Sequence, residues 1–253
     1  MQSDQTARLY DLFYDGKTDD ANFYAGLAQE EGGVVCEMGA GSGRVTARIA
    51  AVGVGIVGVD ISQPMLDRMK TRLANEPERV GRRVQLAHGD MRLWGPDEAF
   101  SQVFFPFRSF QCNLSSADRH RTLENAWRIL RPNGRLAMNL FHPSHKLMRR
   151  YMGEHEGAWH DDGEVHLVEG ALLRRSLQVR FDTLNKRLHA RYRWYEGENF
   201  TEESLEMGYV YRDELLLHLE RVGFAVEQVW GDFSRGPLER EDQEMVVVAR
   251  RRG

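Results

Sequence analysis

Short apolar runs alternate with amphipathic segments through the first half of the chain. The apolar runs are bounded by glycine, proline or polar residues, as is typical of buried parallel strands. They lie at residues 34–38, 55–60, 83–88, 102–107 and 135–141. Helix signals fill the gaps between them, for example over residues 44–51 and 116–130. Alternation of strand and helix over about 110 residues predicts a parallel sheet that is covered by helices on both faces.

The pattern changes after the fifth predicted strand. Residues 164–212 contain few helix signals and show partial two-residue alternation, which favours antiparallel strands. Residues 184–186 predict a hairpin turn, and a further strand is expected over residues 203–210. We therefore predict an antiparallel β insertion after strand five, with residues 146–207 as a lid subdomain.

The two ends of the chain carry further elements. Residues 1–16 are rich in aromatic side chains, which an exposed tail would not usually contain, so this segment is expected to pack on the protein, as a lid or as a core helix. A helix is expected over residues 19–30. Near the other end, residues 213–230 predict a helix and a strand, and residues 244–249 predict a last strand.

Composition narrows the class of protein. The chain has 253 residues, of which 42% are hydrophobic and 28% charged, so we expect a globular protein with one domain or one domain plus an insertion. A net charge of −4 disfavours nucleic acid as a bulk partner. The two cysteines, Cys36 and Cys112, suggest no disulfide framework. Without an apolar leader or a long apolar run, a cytoplasmic location and no membrane partner are expected.

A glycine-rich loop follows the first predicted strand. Residues 37–43 read Glu-Met-Gly-Ala-Gly-Ser-Gly, and a helix is expected to begin at Arg44. A helix N-terminus offers unpaired N–H groups and a positive dipole end, and glycines let a ligand approach the backbone closely. The loop therefore predicts a binding site for a polar or charged ligand.

Two acidic residues distinguish between the cofactors that such a loop binds. Asp60 lies 21 residues after Gly39, at the end of the second predicted strand, where a carboxylate accepts both hydroxyls of a ribose. The third glycine, Gly43, comes one residue too early for a dinucleotide fingerprint, whose position Arg44 takes. Because the carboxylate of Glu37 would repel a pyrophosphate and attract an ammonium or sulfonium group, S-adenosylmethionine is favoured over NAD.

Several segments resemble motifs of the class I S-adenosylmethionine-dependent methyltransferases. Residues 34–46 resemble their first motif, and three later motifs follow in the same order. These are residues 57–62, 88–91 and 105–111. The resemblance covers residues 30–141 well and 208–250 moderately, and it is specific to the superfamily rather than to a substrate. It implies an α/β fold with a Rossmann-like, doubly wound, seven-stranded sheet, parallel except for the last strand. Residues 1–145 and 208–253 would form the core that binds S-adenosylmethionine.

The resemblance also implies a set of cofactor contacts. The glycine loop would wrap the methionine part and Glu37 would help to hold its amino group, whereas Asp60 would bind the ribose. Asp90 would contact the adenine. The methionine ammonium would donate to a backbone carbonyl at Phe105 or Pro106. The full set of expected contacts is Glu37, Gly39, Ala40, Gly41, Gly43, Arg44, Asp60, Ile61, Met65, Asp90, Met91, Phe105 and Tyr10.

Candidates for catalysis are fewer. Methyl transfer is an in-line displacement in which positioning supplies most of the acceleration, and a base is needed only if the nucleophile carries a proton. His142 and His145 follow strand five and are candidate bases, or else ordinary loop histidines. Tyr14, like Tyr10, resembles tyrosines that close the cofactor site in small-molecule N-methyltransferases of the glycine and amino-sugar types. Strand four begins without an acidic residue, which argues against a metal ion in the mechanism.

The acceptor is the least defined part of the prediction. Aromatic residues of the insertion, such as Trp159 and Trp194, would line an acceptor lid, a dimer surface or a subdomain core. We expect methyl transfer to nitrogen or oxygen of a small molecule, and a homodimer is a further expectation. The alternatives are an NAD-dependent oxidoreductase and a non-catalytic protein that binds S-adenosylmethionine.

Overall fold

The computed structural model describes residues 4–167 and 172–253. Eleven strands are present in these ranges: β1 (Val34–Met38), β2 (Gly55–Asp60), β3 (Val84–His88), β4 (Phe100–Phe105), β5 (Leu130–Phe141), β6 (His160–His166), β7 (Leu172–Asp182), β8 (Arg187–Glu196), β9 (Asn199–Gly208), β10 (Phe224–Trp230) and β11 (Glu244–Arg251). The α-helices of the same ranges are α1 (Asp4–Tyr14), α2 (Asp19–Glu31), α3 (Arg44–Ala51), α4 (Gln63–Ala74), α5 (Glu78–Gly81), α6 (Ser116–Ile129), α7 (His145–Tyr151) and α8 (Arg212–Val222).

A seven-stranded sheet forms the centre of the molecule, in the order β10-β11-β5-β4-β1-β2-β3. Each neighbouring pair is parallel except the two pairs that involve β11, which runs antiparallel to β10 and β5. The predicted fold class, with a sheet parallel except for the last strand, is therefore confirmed. The strand order reverses at β1, which lies between β2 and β4, and ligands of open α/β sheets bind at the carboxyl ends of strands beside such a reversal.

Apolar side chains cover both faces of this sheet. On one face, Phe105 and Met138 pack with α6 and α8 through residues such as Leu123. On the other face, Phe104 packs with Tyr24 of α2 and with apolar side chains of α3 such as Ile49. Because adjacent residues of a strand point to opposite faces, burial of both faces requires continuous apolar runs. This requirement explains why the strands could be predicted from the sequence.

The segment after β5 forms a second, four-stranded antiparallel sheet in the order β6-β7-β8-β9. It corresponds to the predicted β insertion, and residues 168–171 of that prediction lie outside the described residues, as do residues 1–3. One face packs on Phe141 and Tyr151, where β5 ends and α7 follows. Strand β6 was not predicted because its sequence, His-Asp-Asp-Gly-Glu-Val-His, is polar and largely exposed.

Some boundaries differ from the prediction. Strand β4 begins two residues earlier than expected, and β5 begins at Leu130 rather than at residue 135, because the chain becomes extended directly after α6. Ser62 directly precedes α4 with an extended backbone, and its hydroxyl makes no capping hydrogen bond. In the described part of the chain, no helix combines the length and apolar character that crossing a bilayer would require.

Candidate active site

The glycine loop after β1 is packed on one side and open on the other. Gly39, Gly41 and Gly43 have φ angles of +72°, +57° and +82°, in the left-handed region that favours glycine. A Cβ atom on Gly39 would lie 2.6 Å from the Cβ of Ser109, whereas a Cβ on Gly41 would meet no atom within 4 Å. The N–H groups of Gly39 and Ala40 both donate to the Val59 carbonyl, at 2.8 and 2.9 Å. The loop is thus a fixed cradle with an open face, which fits a ligand that contacts backbone.

Glu37 lies beneath this loop in an interior environment. Its side chain is 2% exposed, and it accepts a 2.5 Å hydrogen bond from the hydroxyl of Thr46, which is fully buried. Burial raises the pKa of Glu37 to about 8, so the carboxyl group is mostly protonated at neutral pH. Thr46 was not among the predicted residues; its place in the first turn of the helix after the glycine loop was the available signal.

Asp60 joins the glycine loop to the end of β2. One carboxylate oxygen accepts the Gly41 N–H at 2.7 Å, and the other accepts the Ser62 N–H at 2.8 Å. Burial raises the pKa of Asp60, although these backbone hydrogen bonds act in the opposite direction. The next side chain, Ile61, is 65% exposed, which is unusual for isoleucine. A carboxylate beside an exposed apolar side chain fits a ribose with a flat base next to it.

The acidic motif after β3 is arranged differently from the prediction. The carboxylate of Asp90 is held by the guanidinium of Arg92 at 2.5 Å, and Arg92 also contacts Asp118 at 2.8 Å. This arginine holds the pKa of Asp90 below its usual range. Met91 lies beside the glycine loop, since its Cε would be 3.5 Å from a Cβ on Gly39. The structure therefore brings Met91 to the loop and pairs Asp90 with a neighbouring cation.

Three other predicted contacts have packing roles. Arg44 forms a two-pronged ion pair with Asp20, at 2.7 and 2.5 Å, because a buried carboxylate needs a cationic partner. The pair fastens α2 to α3. Met65 is only 4% exposed, and the side chain of Phe105 is fully buried in the core. The carbonyl of Pro106, one of the two proposed for the methionine ammonium, accepts the N–H of the serine three residues on at 3.0 Å.

Aromatic side chains of α1 form a cluster with the loop after β4. The ring centroids of Tyr10 and Tyr14 are 4.7 Å apart, and that of Tyr14 is 4.9 Å from Phe107. Arg72 of α4 holds the end of α1, through a 2.6 Å contact with Asp15, and also donates to the carbonyl of Ser42 in the glycine loop at 3.0 Å. Arg72 therefore holds the N-terminal helix close to the glycine loop.

The loop after β4 is strained and fixed by polar side chains. Phe107 and Arg108 have φ angles of +49° and +67°, which cost about 1–2 kcal/mol per residue without glycine. The Phe107 N–H donates to Asn139 at 2.8 Å, and Asn139 donates to Glu244 at 2.7 Å. Arg108 binds the same carboxylate at 2.6 Å. Such strain persists where surrounding contacts enforce it, typically at functional sites. Asn139 and Glu244 were not predicted; a polar residue inside the apolar run of β5 was the available signal.

A cavity of about 330 Å³ lies between the carboxyl end of β5 and the insertion sheet. Its floor is apolar and comes from strands β7, β8 and β9. The apolar lining includes Leu177, Val179, Leu188, Ala190 and Met207. Its wall includes the polar side chains of Arg108, His142 and Glu244. A mostly apolar cavity of this size with a few convergent polar groups is typical of a small-molecule site.

The two candidate histidines lie in different environments. Nδ1 of His142 is 3.1 Å from the Glu241 carbonyl. Because a carbonyl only accepts, Nδ1 carries the proton and Nε2 has a free lone pair. His142 lines the cavity. His145 is not among the lining residues; its side chain is 90% exposed, and Nδ1 is 2.9 Å from the Glu241 carboxylate. The structure therefore brings His142 to the cavity and leaves His145 on the surface.

Comparison with known proteins agrees with this arrangement. Residues 35–134 match the family model described as a methyltransferase domain. The chain is 31% identical to the demethylmenaquinone methyltransferase of Tropheryma whipplei over 118 residues, which are 46% of each protein. It is 23% identical to the cypemycin N-terminal methyltransferase of a Streptomyces species, over 98% of this chain and 97% of that one. The chain thus matches about half the length of the first of these relatives.

Solved structures share the fold over the whole chain. The CcbJ methyltransferase from Streptomyces caelestis is 24% identical, with a TM-score of 0.78, covering 100% of this chain and 99% of that one. A S-adenosylmethionine-dependent methyltransferase from Clostridium acetobutylicum is 14% identical, with a TM-score of 0.79 and 98% of both chains covered. CalS10, an amino pentose methyltransferase from Micromonospora echinaspora, is 20% identical over 96% of both chains, with a TM-score of 0.69.

These similarities define the class of protein. The chain has the fold of class I S-adenosylmethionine-dependent methyltransferases, and residues 35–134 match the model of a methyltransferase domain. The fold implied by the resemblance is confirmed, and the comparisons agree with the predicted enzyme class and with S-adenosylmethionine rather than NAD as the cofactor.

Proposed function

We propose that this chain transfers a methyl group from S-adenosylmethionine to a small-molecule acceptor, to nitrogen in preference to oxygen. One observation carries the proposal: the strained turn at Phe107 and Arg108 separates the two halves of one site. Phe107 contacts the aromatic residues beside the glycine loop, and Arg108 lines the cavity under the insertion sheet. In this proposal residues 1–145 and 208–253 bind the donor, and residues 146–207 cover the acceptor.

The donor half has a residue for each part of the cofactor. Asp60 would accept the ribose hydroxyls while it continues to hold the glycine loop, and Ile61 would pack against the adenine. Glu37 would attract the methionine ammonium, and the open face of the glycine loop would let the methionine part approach the backbone closely. When bound, the cofactor supplies an electrophilic methyl group on a sulfonium, which is a good leaving group. The residues around it therefore need mainly to position the acceptor and to exclude water.

The acceptor half favours an amine with an apolar body. Glu244 is held by Arg108 and Asn139, and as a fixed carboxylate it would accept an N–H from an amine and orient the nitrogen lone pair. Nε2 of His142 would take the proton that the nitrogen loses. The apolar floor would hold the acceptor body. Similarity to the amino pentose methyltransferase CalS10, to the sugar N-methyltransferase KedS8 and to the cypemycin N-terminal methyltransferase supports nitrogen as the acceptor atom.

Calorimetry and a turnover assay test this function. The purified chain should bind S-adenosylmethionine and S-adenosylhomocysteine, and NAD much more weakly. A panel of amino sugars, peptide amines, phenols and carboxylic acids should then be incubated with methyl-labelled donor, and release of S-adenosylhomocysteine measured by mass spectrometry. We expect turnover with amines, and slower turnover with the Asp60→Ala variant at donor concentrations that do not saturate it. Tight NAD binding without donor binding, or turnover of phenols only, would contradict the proposal.

Other expectations about the protein stay predictions. We expect that the protein forms a homodimer, that it does not bind nucleic acid and that it lies in the cytoplasm. Sedimentation velocity with and without the donor would measure the state of association.

A further inference from the structure

A buried arginine of the insertion sheet contacts the N-terminal helix. Arg175 of β7 is 6% exposed, and its guanidinium donates to the hydroxyl of Tyr14 in α1 at 2.5 Å. The same guanidinium forms an ion pair with Asp162 of β6, at 2.5 and 2.7 Å. Its planar group therefore connects two strands of the insertion with the helix that carries the aromatic cluster.

Four aromatic rings surround this guanidinium. Its Cζ atom lies 4.0 Å from the ring centre of Phe13 and 4.9 Å from that of Tyr14, both in α1. It lies 4.8 Å from the rings of Tyr192 and Trp194 in β8. Cation–π contacts of this kind are strongest when water is excluded. Because an apolar side chain would suffice for packing alone, the arginine adds a defined direction to the contact between α1 and the sheet.

The opposite side of α1 faces the donor half of the site. Tyr14 contacts Phe107, and Asp11 pairs with Arg68 of α4 at 2.5 Å. Arg72 of the same helix connects α1 to the glycine loop, as described above. The helix is therefore held between the donor-binding core and the insertion sheet, and Tyr14 is the residue that contacts both the loop after β4 and the guanidinium.

We propose that Arg175 of the insertion sheet is a positioning residue for the methyl-donor site, acting through the hydroxyl of Tyr14. The inference rests on the proposed function, and it adds that donor affinity depends on a strand of the subdomain that covers the acceptor. The contact between Arg175 and Tyr14 that holds α1 also holds the insertion sheet against it. Donor and acceptor sites are then coupled in both directions, as linkage requires.

Donor affinity measured by calorimetry on a small set of variants tests the inference. Tyr14→Phe removes only the hydroxyl, and Arg175→Gln removes the charge. Each should weaken S-adenosylmethionine binding roughly tenfold, the scale of a charge-assisted hydrogen bond. The double variant should be little weaker than either single variant, because both break one interaction. Arg175→Lys keeps the charge without the fork and should recover part of the affinity.

A matched control separates positioning from general stability. Arg180 lies on the same strand, is 74% exposed and pairs only with Glu156 on the surface among the described residues, so Arg180→Gln should bind the donor like the unaltered chain. Hydrogen exchange of residues 4–14 with donor bound should rise in Tyr14→Phe and Arg175→Gln and stay unchanged in the control. All measurements should be made well below the melting temperature of each variant. If Arg175→Gln does not fold, the donor affinity and the hydrogen exchange of Tyr14→Phe test the inference.

The outcomes separate the two proposals. If the unaltered chain does not bind S-adenosylmethionine, the proposed function fails and this inference fails with it. If the unaltered chain binds the donor and both variants bind it equally well, the role of Arg175 is refuted while the function stands. A double variant whose loss is the product of the two single losses would also refute it, because Tyr14 and Arg175 would then act independently.

Discussion

Binding of the methyl donor should release a proton from Glu37. Burial raises the pKa of this carboxyl group to about 8, so it carries a proton at neutral pH in the free protein. A cation placed within a few ångströms lowers a carboxyl pKa by about 1–3 units, because it favours the charged form. The methionine ammonium of the donor would be such a cation, and the proton would leave as the donor binds.

The size of this effect follows from the pKa of the free protein. If bound donor lowers the pKa from about 8 to about 5–7, then about 0.4–0.9 of a proton is released at about pH 7, and about 0.1 at about pH 9. Donor affinity should therefore rise by up to about tenfold per pH unit up to pH 8 or so and level off above it. The same group opposes folding as pH rises. Between about pH 4.5 and about pH 8 the folded chain keeps a proton on Glu37 that the unfolded chain has lost. The free energy of unfolding therefore falls as pH rises across this range.

Calorimetry in two buffers of different ionisation enthalpy measures the released proton directly. The reference is Glu37→Gln, which keeps the shape and a hydrogen bond to Thr46 but cannot titrate. This reference is needed because an α-amino group titrates near pH 7.7–8.0 or so on its own. Proton release that is the same in Glu37→Gln and in the unaltered chain would refute the reasoning, as would a release that does not decrease between pH 7 and pH 9. The melting temperature of the unaltered chain, relative to Glu37→Gln, should fall from pH 5 to pH 8.

Three further predictions concern single side chains. Gly39→Ala should lower the free energy of unfolding by about 2–5 kcal/mol, because the new Cβ clashes with Ser109 and the φ angle is left-handed. Gly41→Ala has the left-handed φ angle without the clash and should lower it by only about 1–2 kcal/mol. Urea unfolding measures both losses, and equal losses would contradict the packing argument. Asp60→Ala should weaken donor binding by on the order of 1–3 kcal/mol in calorimetry, and unchanged affinity would remove Asp60 from the site. His142→Gln should reduce kcat by about 10²-fold or more once an acceptor is known, while His145→Gln should leave it unchanged; equal effects of both would exclude His142 as the base.

The core sheet and the donor loop could be predicted because their signals are local. Buried parallel strands require continuous apolar runs, and the loop from Glu37 to Gly43 is contiguous in sequence. Each feature follows from neighbouring residues, so no knowledge of distant parts of the chain was needed. The number of strands in the sheet and the direction of the last strand came from the resemblance to a known family and not from the pattern itself.

The rest of the site depends on residues that are far apart in sequence. Glu244 meets Arg108 across 136 residues, and the cavity exists only because the insertion sheet folds back over the end of β5. Local reasoning also could not foresee that Arg44, an expected donor contact, pairs with Asp20. His142 and His145 are equivalent in sequence, and only their contacts with Glu241 separate them.

The position of α1 has a consequence for the order in which the chain folds. Helix α1 has its insertion-sheet partners far along the chain: Tyr14 meets Arg175 across 161 residues, and Gln5 meets Thr201 across 196 residues. Closing a loop of such length costs about 2–3 kcal/mol more than closing a ten-residue loop. Docking of α1 on the insertion sheet should therefore come late in folding, and this contact should be among the first to open. Pulse-labelled hydrogen exchange during refolding would show protection of residues 4–14 after that of β1 and β4. A chain built this way can open and close one helix while its central sheet stays intact.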